Sequence, residues 1–82
     1  MPLYIDWHEA RELPEEIRST IKDRIKSGDA DEFGVVDRGV VYDKTAHRMF
    51  CVLDAPDEDA VRRHHEAAGV PVESIHPADA IL

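Results

Sequence analysis

The stretch that decides the fold is Arg48-Met49-Phe50-Cys51-Val52-Leu53-Asp54-Ala55-Pro56-Asp57, together with the helix predicted to follow it. Residues 49–53 form a short, continuous apolar run, which is typical of a strand buried on both faces. Asp54, Ala55 and Pro56 end that strand. Asp57 can then cap a helix running to about Ala68, because its carboxylate can accept from the free N–H groups of the first turn.

The inner face of this predicted helix contains histidine. Val61, His64, His65 and Ala68 follow the i, i+3, i+4, i+7 spacing of one helix face. His64 and His65 are adjacent, so they point about 100° apart and cannot easily chelate one metal together. A hydrogen-bonded core histidine is the more frequent explanation for an inward His64, and metal ligation is the alternative.

The sequence before the deciding stretch predicts a strand, a helix and a second strand. Leu3 to Trp7 alternates apolar and polar residues, as a strand with one apolar face does. Pro14 suits the first helical position and Gly28 suits the helix end. A strand over residues 33–43 should then pair with residues 48–53 as a hairpin. The expected buried stripe of the first helix is Ile17, Ile21 and Ile25.

The last strand is expected from residues 72–75 and 80–82, interrupted by Pro77. The resulting order, βαββαβ, predicts an α+β, ferredoxin-like domain over residues 1–82, with a four-stranded antiparallel sheet and both helices on one face. The other sheet face needs a cover. We expect a second copy of the chain there, which gives a homodimer of the dimeric α+β barrel type.

Composition excludes several classes of function. The net charge of −8 argues against sequence-independent nucleic-acid binding and against an anionic membrane surface. No apolar run approaches the roughly 20 residues of a membrane helix. Cys51 is the single cysteine, which excludes an internal disulfide, and a cytoplasmic protein is the default expectation.

Candidate metal ligands occur on the first strand as well as on the second helix. Asp6 and His8 share a strand face, and carboxylate with imidazole is a suitable ligand set for nickel, zinc or copper. Under strict alternation His8 would lie on the open sheet face, away from the helix, and the sequence leaves its distance from His64 open. Cys51, among apolar residues, is interpreted as a packing residue. The sequence contains no phosphate-binding loop and no nucleophile elbow.

Three segments of the chain resemble a known group of small bacterial and archaeal domains: Pro2–Asp6 with His8, residues 50–57, and the helix end His64–Gly69. These are dimeric, ferredoxin-like proteins of otherwise unknown function, some of which bind nickel. The resemblance implies that His8 and His64 are nickel-associated. Relatives commonly have a second histidine where this chain has Ala68, and His65, Glu66 or Asp6 are the candidates to replace it.

The first hypothesis is therefore a protein that binds a divalent transition metal, nickel in first place, for storage or sensing. His8 and His64 would be ligands, and Asp6 and His65 are further candidates. Binding should weaken below about pH 6, because imidazole must be neutral to coordinate. The alternatives are a small-molecule enzyme, either an isomerase or a cofactor-free oxygenase, and a purely structural or regulatory module. A polar cavity lined by His8, Tyr4 and His64 would favour the enzyme.

Overall fold

A computed structural model describes residues 1–81 and contains four strands and two helices in the order βαββαβ. The elements are β1 (Leu3–Glu9), α1 (Glu15–Ser27), β2 (Val36–Asp43), β3 (Arg48–Asp54), α2 (Glu58–Ala67) and β4 (Ser74–Ala78). Within residues 1–81, neither helix has the length and apolarity needed to cross a bilayer.

The sheet has the strand order β2-β3-β1-β4, and every neighbouring pair is antiparallel. β1 and β3 are its central strands, so the segment after each helix crosses to a non-adjacent position. This arrangement confirms the predicted ferredoxin-like α+β fold. The register places Asp6 opposite Cys51 and His8 opposite Met49.

β1 turns its polar residues toward the helices. Tyr4, Asp6 and His8 are buried, and Tyr4 shares a core with Leu53 of β3 and Val61 of α2. The alternate residues of β1, Leu3, Ile5 and Trp7, lie on the opposite, open face. The sequence left the face of His8 open. The structure places His8 on the helix side, because β1 alternates strictly and its apolar set faces away from the helices.

α1 ends at Gly28, whose φ of 68° is the left-handed conformation that glycine adopts without steric cost. The predicted isoleucine stripe is only partly buried. Ile17 is 46% exposed, Ile21 and Ile25 are half-buried, and no residue of α1 is fully buried. The expectation of a buried stripe was wrong in extent because a cavity separates this part of α1 from the sheet, as described below.

α2 begins as the sequence predicts. Asp57 is its N-cap, and its Oδ1 accepts from the backbone N–H of Ala60 at 2.8 Å. Val61 and His65 are buried on the inner face, His64 is half-buried, and Ala68 is exposed. Of the two adjacent histidines, His65 is thus the one that enters the protein interior.

Two predicted strands differ from the observed ones. β2 begins at Val36 rather than residue 33, because Asp31 Oδ1 accepts from the N–H groups of Phe33 and Val35 and folds that segment into a turn. The register of β2 against β3 shifts between Asp37 and Gly39, which marks a β-bulge. β4 continues through Pro77, which pairs with Tyr4. Proline is tolerated there because β4 is an edge strand. The expected continuation at 80–82 is not a strand at 80 and 81, and Leu82 lies outside the described residues.

Candidate metal centre

Four side chains capable of binding a metal meet between the sheet and α2. Asp6 and His8 come from β1, Cys51 from β3 and His65 from α2, and all four are buried. One potential ligand atom from each lies within 4.8 Å of every other. The four residues are far apart in sequence, and the pairing of β1 with β3 brings the first three together. We call these four residues the buried cluster.

Asp6 is the least satisfied member of the buried cluster. Asp6 is 0% exposed, and neither of its carboxylate oxygens has a hydrogen bond of good geometry. His65 Nε2 lies 3.0 Å from Oδ1, which is an ion-pair distance, but it leaves the second oxygen without any partner. Buried polar groups are nearly always hydrogen-bonded. A fully buried carboxylate with free lone pairs therefore indicates a position suited to a cation.

The two histidines of the cluster are oriented by backbone carbonyls. His65 Nδ1 donates to the Val61 carbonyl at 2.8 Å, and His8 Nδ1 donates to the Glu9 carbonyl at 3.2 Å. A carbonyl can only accept, so the proton of each neutral ring lies on Nδ1 and the Nε2 lone pair is free. Metal-binding histidines are usually held in this manner, with the second nitrogen donating to a carbonyl or carboxylate.

Burial and the cluster's own charge set its protonation. Desolvation raises the pKa of the Cys51 thiol, and the nearby Asp6 and Asp37 carboxylates raise it further. Burial by itself lowers the pKa of His65, but the Asp6 carboxylate and the Val61 carbonyl outweigh it, so that the pKa is raised. Cys51 is therefore a thiol at neutral pH until a cation displaces its proton, as coordination does.

His64 has different partners. Its Nδ1 donates to Asp31 Oδ2 at 2.6 Å, and its Nε2 lies 3.8 Å from Asp37 Oδ1. Asp31 is held in turn by the N–H groups of Phe33 and Val35. Burial raises the pKa of Asp31, but the bonds from His64 and the backbone outweigh it and lower the pKa overall. His64 thus ties α2 to the turn before β2.

A cavity of about 260 Å³ lies between α1 and the sheet, beside the buried cluster. His8, Cys51 and His65 form part of its wall, and so does His64. Among the described residues, Tyr4 does not line it, although the sequence-based alternative of a cavity enzyme included Tyr4. The interior is thus partly hollow beside the buried cluster.

The structure brings together three of the four predicted ligands, Asp6, His8 and His65. His64 is a neighbour of the cluster, since its ring centroid lies 5.2 Å from that of His65, but it is outside the set that could share one ion. Cys51, which the sequence analysis interprets as a packing residue, belongs to the apolar core and is also the fourth member of the buried cluster. The split βαβ topology makes β1 and β3 neighbours, so a residue of β3 was expected opposite Asp6. The register of the two strands makes that residue Cys51.

The comparisons with known proteins agree with this fold. The family model described as nickel responsive protein SCO4226-like matches residues 4–78. The chain belongs to this family. A search among curated proteins found no match. The crystal structure of SCO4226 from Streptomyces coelicolor A3(2) is similar over 98% of this chain and 99% of that chain, with a TM-score of 0.73 and 21% identity. At that identity the likeness supports the shared fold.

Proposed function

We propose that this protein binds a divalent transition metal, with nickel in first place, for storage or sensing rather than catalysis. The ligands would be Asp6 and His8 of β1, Cys51 of β3 and His65 of α2. The observation that supports the proposal most directly is the Asp6 carboxylate, which is fully buried with both oxygens lacking a hydrogen bond. A cation among the four side chains would supply the missing partner.

The dimensions of the cluster suit one ion. Nitrogen, oxygen and sulfur ligands bind transition metals at about 2.0–2.3 Å, so two ligands on opposite sides of an ion are about 4.0–4.6 Å apart. All ligand atoms of the cluster lie within 4.8 Å of one another, so shifts of a few tenths of an ångström would suffice. Coordination by the Asp6 carboxylate and the Cys51 thiolate would neutralise a divalent ion, which favours its burial.

The choice of nickel is supported by the name of the family, nickel responsive protein. The ligand chemistry alone admits several metals, because imidazole suits nickel, copper and zinc, and thiolate is common in zinc sites. The protein's free thiol fits a reducing compartment such as the cytoplasm.

The test compares His65→Ala with His64→Ala by calorimetric titration with Ni²⁺, using protein without a histidine tag. We expect His65→Ala to lose at least about 100-fold in affinity, because it removes a ligand, whereas loss of a partner that only orients a ligand costs about 10–100-fold. His64→Ala should lose less than His65→Ala. Circular dichroism of both metal-free variants serves as the folding control. Equal affinity in wild type and His65→Ala would refute the proposed site.

The proposal includes a homodimer formed through the open sheet face. That face carries the apolar side chains of β1, β2 and β3 that point away from the helices, and Ile5 of β1 is 38% and Val41 of β2 is 67% exposed in the single chain. Burying such a surface against a second copy would stabilise a small domain whose own core is thin. The buried cluster lies on the other side of the sheet, so pairing would leave it undisturbed.

A small-molecule enzyme remains the second candidate because of the cavity beside the cluster. Pockets that place a few polar groups in an otherwise apolar wall are typical of ligand sites, and His8 and His64 both line this one. The fold itself carries no argument for catalysis, since similar folds host unrelated functions.

A further inference from the structure

The cavity is placed to give an outside molecule direct access to the buried cluster. His8, Cys51 and His65 contribute to its wall, whereas Asp6 lies behind them and does not line it. A metal held by all four side chains would therefore have one side toward the cavity. With four protein ligands, an ion that accepts five or six would keep at least one position open on that side.

The remaining wall limits the size and polarity of what could enter. Ile17, Ile21, Val40 and Val70 make most of it apolar, and Thr20 and Arg24 of α1 also line it. A volume of about 260 Å³ is below the range of roughly 300–1,000 Å³ that drug-sized ligands occupy. The space therefore suits a compact molecule, smaller than a typical drug-sized ligand.

The charges around the cavity argue against an anion. Asp6 and the Cys51 thiolate would cancel the charge of a divalent ion, and Asp37 adds a carboxylate to the cavity wall. Arg24, an exposed residue of α1, contributes one positive charge to the wall, and it balances Asp37. A neutral ligand would thus enter without an uncompensated charge, which is expensive in an apolar enclosure.

His64 supplies a second recognition point. Its Nδ1 donates to Asp31 Oδ2, so Nε2 is the ring nitrogen left for a molecule in the cavity. Asp37 Oδ1 lies 3.8 Å from Nε2, which is beyond hydrogen-bond distance, and a carboxylate oxygen cannot donate. His64 lines the cavity, so this nitrogen can accept a hydrogen bond from an N–H or O–H of a molecule inside it.

We propose that the cavity binds a small uncharged azole, whose bare nitrogen completes the coordination of the metal while its N–H donates to His64 Nε2. This inference rests on the proposed metal site and adds to its four protein ligands one ligand from outside the chain. Such a site would make metal retention depend on a small molecule, and it assigns His64 a role in recognition rather than in holding the ion.

The test uses the protein loaded with Co²⁺, whose visible absorption reports changes in coordination. Imidazole should shift the cobalt bands saturably. N-methylimidazole, which has nearly the same size but no N–H, should bind at least about 5-fold more weakly, because the hydrogen bond to His64 is missing. In His64→Phe, which offers no acceptor, the two azoles should bind alike.

Thr20→Leu is the variant that blocks the cavity, since Thr20 lines it from an exposed position on α1. Ser19→Leu, next to it and not lining the cavity, is the matched control. Thr20→Leu should weaken imidazole binding at least about 10-fold and leave the cobalt bands before addition unchanged, and Ser19→Leu should behave as wild type. Cobalt bands that do not respond to imidazole, or that respond alike in Thr20→Leu and Ser19→Leu, would overturn the azole proposal. Failure to load Co²⁺ at all would instead overturn the metal site on which it depends.

Discussion

Replacing Asp6 with asparagine should change the metal-free and metal-loaded proteins in opposite directions. In the metal-free protein the carboxylate is fully buried, and its one close partner is His65 Nε2 at 3.0 Å. Coulomb attraction at that distance is about 5 kcal/mol at an effective dielectric constant of about 20. Desolvation costs several kcal/mol for each of the two ions, so the pair contributes little or is unfavourable.

The Asp6→Asn change removes the buried charge and keeps the shape, and His65 can then remain neutral. We expect the metal-free variant to be between about 0 and 2 kcal/mol more stable than wild type. For a domain of this size 1 kcal/mol is about 4–8 °C in Tm. The expected rise is therefore between about 0 and 16 °C, measured at pH 8 and at one fixed protein concentration.

In the presence of metal, Asp6→Asn should instead lower the Tm relative to wild type. At a free Ni²⁺ concentration 100 times the wild-type Kd, binding stabilises the native state by about 2.7 kcal/mol, or about 11–22 °C. If the variant binds about 100-fold more weakly, the same concentration contributes only about 0.4 kcal/mol, or about 2–3 °C. Asp37→Asn is the matched control, since Asp37 is a half-buried carboxylate outside the cluster, and it should keep most of the metal-induced shift. A variant that loses several degrees without metal and keeps the full nickel shift would refute the reasoning.

Three further predictions follow from the same site and surface. Because the pKa of His65 is raised in the folded state, protonation of His65 stabilises the fold. This stabilisation is complete below the unfolded pKa of about 6.5 and is lost as the pH rises through the higher folded pKa. The Tm of the metal-free protein should thus fall between pH 6 and 8. Over the same range the affinity for metal should rise, because binding must displace protons from His65 and Cys51. A Tm and an affinity that rise or fall together would contradict this. Buried Cys51, with its raised pKa, should resist iodoacetamide at pH 7, and Cys51→Ser should abolish the thiolate-to-nickel charge-transfer absorption of the loaded protein. If the chain forms the proposed homodimer, light scattering should show that Val41→Glu is a monomer, whereas Ser19→Glu, on α1, should keep the dimer mass.

The fold could be predicted from sequence because local signals agreed with one another. Pro14 and Gly28 bound α1, Asp57 caps α2, and the short connection after Asp43 produces the hairpin. These are short-range effects, in which one residue satisfies the free backbone groups of the adjacent helix turn or ends the helix or strand beside it. Pro77 was the exception, because its effect depends on whether β4 is a central or an edge strand, and that is a property of the whole sheet.

The candidate site was less predictable because it depends on which face of a strand is covered. Leu3, Ile5 and Trp7 form the apolar face of β1, and hydrophobic patterning alone assigns that face to the core. The structure does the reverse and buries Asp6 and His8 under the helices. A single-chain pattern cannot reveal this inversion when both faces of the sheet are candidates for burial, one against helices and one against a second copy.

That inversion is itself an argument about function. A domain of 82 residues has few positions for a core, and this one gives three of its buried positions to Asp6, His8 and His65. Apolar residues there would stabilise the chain more, because buried ionisable groups are costly unless they are fully paired. Sequences that break the rule of an apolar core tend to do so at functional sites. Neither oxygen of Asp6 accepts a hydrogen bond, and only Oδ1 has an ion-pair partner, so the metal-free interior is incompletely satisfied. A bound cation would complete the core as well as occupy a site.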